Sequence, residues 1–114
     1  MKELIELAYD LGSAVASFSD AKYVAETQRK LQALKNRADV KVAEVVLAEL
    51  QRATSMYGPM HSPHEGFAIL KEEVDELWDE VKRKPLERSN ERMREEAIQI
   101  AAMAMRFAID VCGG

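Results

Sequence analysis

The sequence predicts an all-α protein, a helical bundle of about five helices in a single domain of 114 residues. Three observations support this prediction. Apolar residues recur with a helical period along nearly the whole chain, no segment has the pattern of a strand, and the few glycines and prolines fall between the periodic segments. Apolar residues make up 47% of the chain, which is enough for one continuous core.

The first two predicted helices form a helical hairpin over residues 1–36. They cover about residues 2–17 and about residues 20–34, and Ser19 or Asp20 is the cap that begins the second helix. Both segments carry apolar residues at spacings of three and four, as amphipathic helices do. The expected role of this hairpin is to pack against the rest of the bundle or against a second subunit.

The third predicted helix covers about residues 40–57 and begins the helical core, which is predicted over residues 40–112. Asp39 is expected to be its cap. Its valines lower the intrinsic helix propensity, but the alanine, glutamate and leucine residues around them favour a helix.

The fourth predicted helix has the clearest start signal in the chain. Ser62 is the expected cap, Pro63 takes the first helical position, and Glu65 reaches back to complete a capping box. The helix then continues to about residue 84, where Pro85 ends it. The predicted core face comprises Leu70, Val74, Leu77 and Val81, with Phe67 and Trp78 at its edge.

The fifth predicted helix, capped by Ser89 or Asn90, is apolar on nearly every side from residue 97 to residue 111. Gln99, Arg106 and Asp110 interrupt it, and these three fall with Glu96 in a sector of roughly 80°. Buried polar groups need partners, so this alignment indicates a binding site for metal and phosphate. The alternative is an ordinary exposed strip, in which Arg106 and Asp110 form a surface pair.

Two short acidic motifs on the fourth and fifth helices predict the position of this site. On the fourth helix, Glu73, Glu76 and Glu80 form a stripe beside the core face. If the two helices are antiparallel neighbours, Glu73, Glu76 and Glu96 converge, and three carboxylates beside an apolar core need a cation to offset their repulsion. The sequence therefore predicts a Mg²⁺ site. The alternative is that the acidic segment over residues 72–80, which includes Asp79, is only the solvated face of an amphipathic helix.

Composition excludes several other classes of protein. Acidic residues outnumber basic ones by 20 to 16, and no basic stripe suits a nucleic acid. The longest apolar stretch, residues 97–111, is shorter than the roughly 20 residues needed to span a membrane. The N-terminus has no secretory signal pattern and Cys112 is the single cysteine, so a soluble cytoplasmic protein is expected.

The two acidic motifs resemble those of the MazG-type all-α nucleoside triphosphate pyrophosphohydrolases. The segment Leu70-Lys71-Glu72-Glu73-Val74-Asp75-Glu76-Leu77 matches the LxEExxEL pattern of that family, and the resemblance covers roughly residues 40–111. It implies Mg²⁺-dependent cleavage of a nucleoside triphosphate to the monophosphate and pyrophosphate, by bundles that associate as homodimers or higher oligomers. It also implies that Glu73, Glu76 and Glu96 are metal ligands.

Gln99 stands where the family pattern has aspartate, so the resemblance implies a weaker oxygen ligand without charge at this position. Glu72 or Glu80 is expected to orient the attacking water as general base. The residues expected to contact substrate are Arg106, Lys71 and Trp78. Gln99 leaves an alternative open, in which the chain is a non-catalytic helical homodimer that binds nucleotides or proteins, and a coiled-coil adaptor is a third possibility.

Overall fold

The computed structural model describes residues 21–113, and this part of the chain is all-helical. Its four helices are α1 (Ala21–Lys35), α2 (Ala38–Met56), α3 (Pro63–Val81) and α4 (Asn90–Asp110). The prediction of an all-α protein is therefore confirmed for these residues, which contain no strand. The first of the five predicted helices, over residues 2–17, lies outside them. None of the four helices is both long enough and apolar enough to cross a membrane.

The chain divides into two compact units, residues 1–43 and residues 44–114. The described part of the first unit holds α1, on which Thr27 is buried, and the first turns of α2. α2 begins two residues earlier than predicted, so Asp39 lies in its first turn, where Arg37 donates to it from Nη2 at 2.8 Å. The second unit holds the rest of α2 together with α3 and α4, and it contains the candidate site.

The start of α3 follows the predicted local signal with one difference. Ser62 caps the helix by accepting a hydrogen bond from the Glu65 N–H at 3.1 Å, and Pro63 occupies the first helical position. The Glu65 carboxylate accepts from the His61 N–H at 3.1 Å, one residue earlier than in the expected capping box. The carboxylate therefore also ties the preceding turn to the helix.

An arginine in the loop between α3 and α4 binds carbonyl groups at and just after the end of α3. α3 ends at Val81, earlier than predicted, and Arg88 donates to the Val81 carbonyl from Nε at 3.0 Å and to the Arg83 carbonyl from Nη2 at 3.1 Å. These bonds satisfy carbonyl groups that the end of a helix leaves without partners. Ser89 then caps α4 as predicted, accepting from the Arg92 N–H at 3.2 Å.

The core of the second unit lies where α2, α3, α4 and the turn before α3 meet. Its buried residues are Val46, Ala53, Met60, Ile98, Ala102 and Met103.

The predicted core face of α3 is wrong at Val74, which is 45% exposed. Gly66, which the prediction did not include in this face, is buried. Glu73 and Glu80 are both partly buried and lie seven and fourteen residues after Gly66, on the same side of the helix. These two carboxylates therefore lie within the packed face of α3 rather than beside it.

Gly66 sets this orientation because it allows α4 to approach closely. A Cβ atom at this position would lie 2.6 Å from Cδ2 of Phe107 and 3.1 Å from Sδ of Met60. Phe107 lies near the end of α4 and Gly66 near the start of α3, so the two helices run antiparallel. The contact therefore leaves too little space for a side chain larger than that of glycine unless its neighbours move.

Gly66→Ala is predicted to destabilise the second unit. Overpacking costs about 1–3 kcal/mol, and the better helix propensity of alanine offsets about 1 kcal/mol of this. We expect a net loss of about 1 kcal/mol in the free energy of unfolding, measured by urea denaturation. Gly58→Ala is the matched control, because no atom lies within 4 Å of a Cβ built at that glycine. Equal stability of the two variants would show that the close approach is not needed.

Candidate metal centre

Three glutamates of the second unit converge at the contact between α3 and α4. Glu73 and Glu76 come from α3 and Glu96 from the second turn of α4, and one carboxylate oxygen of each lies within 4.8 Å of the other two. The spacing of three residues places Glu73 and Glu76 one above the other on the same side of α3. The antiparallel arrangement brings the start of α4 to them. The structure thus brings together the three residues that the sequence selects, and their role as ligands stays a prediction.

The electrostatic environment of Glu73 and Glu96 opposes their charged forms. Burial, followed by the neighbouring charges of Glu76, Glu96 and Glu72, raises the pKa of Glu73 to about 7. The pKa of Glu96 is raised as well, first by burial and then by its proximity to Glu76 and Glu80. No lysine or arginine within residues 21–113 forms an ion pair with the three glutamates that converge.

The residues at this position suit a hard divalent cation. Oε2 of Glu96 is buried and has no hydrogen-bond partner, so it is an acceptor that the surrounding protein leaves unsatisfied. Carboxylate oxygens are the ligands that Mg²⁺ and similar cations prefer, and a cation here would offset the mutual repulsion of three carboxylates. Mg²⁺ itself stays a prediction.

A cavity of about 520 Å³ adjoins these carboxylates, and Glu73 belongs to its wall. Glu72 lies beside Glu73 on this wall, and Gln99 faces the cavity from α4. The wall also includes Arg52, Tyr57, Gly58, Pro59, His61 and Arg106. The cavity is therefore lined by both carboxylates and positively charged side chains, and its volume is in the usual range for small-molecule sites.

Arg106 is buried, with only 5% of its surface exposed, so it does not belong to an exposed strip. Its Nη2 donates to the Gly58 carbonyl at 2.6 Å, and Asp110 Oδ2 lies 3.9 Å from the same nitrogen. Asp110 in turn accepts a hydrogen bond from the Met60 N–H at 3.0 Å. The alternative of an ordinary surface pair is therefore wrong, because the two side chains hold the turn between α2 and α3. Contact between Arg106 and substrate stays a prediction.

A glutamate and an arginine of α2 also reach this region, and the sequence did not single them out. The side chain of Glu49 is only 13% exposed and accepts a hydrogen bond from Nε of Arg52 at 2.8 Å. The pKa of Glu49 is lowered mainly by Arg52 and to a smaller extent by the side chain of Gln99. The available signal was the position of Glu49 beside the apolar residues Val46 and Ala53 on α2.

The other predicted site residues differ in their surroundings. Glu80 is partly buried, with Oε2 3.0 Å from Nε of Arg83. Lys71 is exposed and pairs with Asp75 at 3.0 Å, and Trp78 is 59% exposed. Neither Lys71 nor Trp78 is among the residues that line the cavity beside the carboxylates. Their contacts with substrate stay predictions.

Comparisons of the chain with protein-family models, with curated proteins and with solved structures found no significant match. The resemblance to the MazG-type enzymes therefore rests on the two acidic motifs alone.

The raised pKa of Glu73 predicts that the metal-free protein loses stability as the pH rises. The folded state holds this proton more tightly than the unfolded chain does. The contribution of Glu73 to the free energy of unfolding is therefore complete below about pH 4.5 and is lost as the pH rises through about 7. In EDTA, wild-type stability should decline over this window relative to that of Glu73→Gln, as measured by urea denaturation at a series of pH values.

Glu87→Gln serves as the control, because Glu87 is exposed in the loop between α3 and α4. Its pH profile should follow that of the wild type. Added Mg²⁺ should restore wild-type stability above pH 7, because a cation that binds only the folded, ionised site stabilises the folded state. Parallel profiles of wild type and Glu73→Gln in EDTA would contradict the prediction.

Proposed function

We propose that this protein is a Mg²⁺-dependent nucleoside triphosphate pyrophosphohydrolase, which converts a nucleoside triphosphate and water to the monophosphate and pyrophosphate. The observation that carries the proposal is the convergence of Glu73, Glu76 and Glu96 beside a cavity large enough for a small molecule. The position of cleavage, between the α- and β-phosphates, follows from the resemblance of the two acidic motifs to those of the MazG-type enzymes. A cytoplasmic location remains part of the proposal.

Glu73, Glu76 and Glu96 would hold the cation, and Gln99 would add an uncharged oxygen. When bound, Mg²⁺ would supply positive charge at the phosphate oxygens. Arg52 and Arg106 line the same cavity and add positive charge that suits a polyphosphate. The site would thus bind and orient a highly charged substrate, which is the main task of a protein in phosphoryl chemistry.

Glu72 is the better supported of the two candidates for general base. It is exposed and lines the cavity next to Glu73, so a water molecule in the cavity could reach its carboxylate. Oε2 of Glu80, in contrast, is buried and lies beside Arg83. In this reaction Glu72 accepts a proton from water as the water oxygen bonds to the α-phosphorus. The bond from that phosphorus to the bridging oxygen then breaks, and pyrophosphate leaves.

The test is pyrophosphate release from a panel of nucleoside triphosphates in the presence of Mg²⁺. Glu96→Gln should reduce release by on the order of 100-fold, because loss of a charged ligand weakens binding of the cation. Glu95→Gln is the matched control, since Glu95 precedes it on α4 but is exposed, and its activity should stay close to that of the wild type. Failure of the wild type to act on any member of the panel would refute the proposal.

The alternative is a non-catalytic helical homodimer that uses the same site for nucleotide binding or the same surface for protein interaction. Gln99 is the observation that favours it, because the neutral side chain stands where the resembling family has a charged ligand. Nucleotide binding without pyrophosphate release in the same assay would support this alternative.

We also propose that the protein forms homodimers through the outer side of α3. Phe67, Val74 and Trp78 recur there at helical spacing and are 61%, 45% and 59% exposed. An exposed apolar stripe of this kind is typical of an interface, and a symmetric dimer would bury it on both copies.

Phe67→Lys should therefore yield a monomer, as measured by light scattering coupled to size-exclusion chromatography. Leu86→Lys, in the α3–α4 loop, should leave the mass unchanged, and equal masses for the two variants would exclude this interface.

A further inference from the structure

Gln99 lines two cavities of the second unit. One is the cavity of about 520 Å³ whose wall includes Glu73. The other is a groove of about 340 Å³ whose wall includes Glu49 of α2, and Arg52 lines both cavities. The half-buried side chain of Gln99 is therefore shared between the cavity of the candidate metal centre and a groove that contains a carboxylate from a different helix.

The chemistry of Glu49 determines which end of the Gln99 amide faces it. Arg52 holds Glu49 in its ionised form through hydrogen bonds from Nε and Nη2. An ionised carboxylate can only accept hydrogen bonds, so the end of the amide that faces it must be the NH₂ group. The oxygen of Gln99 is then the end that remains for the cavity of Glu73.

We propose that Glu49 is a positioning residue for the candidate metal centre, and that it acts by fixing the orientation of the Gln99 amide. With Glu49 ionised, the amide oxygen is directed to the cavity that Glu73 lines, where it would be an uncharged acceptor for a cation. This inference rests on the proposed function, because the orientation of the amide oxygen affects the site only if a cation binds there. It also accounts for the neutral residue at position 99, since an aspartate there would add a second negative charge to the groove that holds the ionised Glu49.

The first experiment tests the orientation in the metal-free protein and needs no activity. In ¹⁵N-labelled protein, the side-chain NH₂ resonances of Gln99 are assigned by their loss in Gln99→Leu. Glu49→Gln should shift these resonances and accelerate their exchange with water, because a strong charged acceptor is removed. Glu95→Gln removes a charge from the same groove and should leave them nearly unchanged. Unchanged Gln99 resonances in Glu49→Gln would overturn the proposal.

The second experiment measures the binding of Mg²⁺ alone by isothermal titration calorimetry. Glu49→Gln should weaken binding on the order of tenfold, as is typical for residues that orient a metal ligand. In the Gln99→Leu background the same change should have little effect, because the amide through which it acts is absent. Glu95→Gln measures the effect of removing one negative charge without changing the amide.

The outcomes separate this inference from the proposed function. If the resonances shift but the wild type binds no Mg²⁺, the orientation stands and the proposed metal-dependent function fails. If the wild type binds Mg²⁺ and Glu49→Gln weakens binding no more than Glu95→Gln does, Glu49 acts only through its charge and the inference fails. An equal effect of Glu49→Gln with and without Gln99 would overturn it as well. Circular dichroism of each variant confirms that the helices remain folded.

Discussion

The close contact between α3 and α4 at Gly66 is the constraint on which the candidate site depends. Because Gly66 has no side chain, Phe107 can lie against the start of α3, and this contact fixes which side of α3 faces α4. The same side carries Glu73 seven residues later, where its carboxylate converges with that of Glu96 on α4. The close contact at Gly66, near one end of the pair formed by α3 and α4, therefore determines where the three carboxylates meet further along the two helices.

This arrangement places the requirements of the site in conflict with those of the core. Positions such as 73 and 80 on the packed face of a helix normally favour apolar side chains, since an unpaired buried carboxylate is unfavourable. Here Glu80 is compensated in part by Arg83, whereas Glu73 has no cation beside it among residues 21–113 and has a strongly raised pKa. Such a combination is typical of functional sites, where local stability is lower than the fold alone would allow.

The sequence predicted the features that depend on short-range patterns. Ser62 and Ser89 begin their helices as expected, because a cap and the first turn lie within four residues of each other. The convergence of Glu73, Glu76 and Glu96 was predictable as well, since helical periodicity and one assumption about neighbouring helices are sufficient to derive it.

The features that the sequence did not predict depend on contacts between distant parts of the chain. Val74 is exposed because the contact at Gly66 rotates α3 away from its most apolar side. Glu49 approaches Gln99 only because α2 and α4 lie together, and no spacing along the chain indicates that pair. The burial of Arg106 likewise depends on a carbonyl group that is 48 residues away.

The turn between α2 and α3 is attached to the rest of the unit through its backbone. Arg106 binds the carbonyl of Gly58, and Asp110 and Glu65 accept from the N–H groups of Met60 and His61. Backbone groups are the same for almost every amino acid, so these attachments do not require particular side chains on the turn. The side chains at positions 57, 59 and 61 line the cavity, so they can change its lining while the backbone of the turn keeps its position, which makes this turn a suitable place to redesign the cavity.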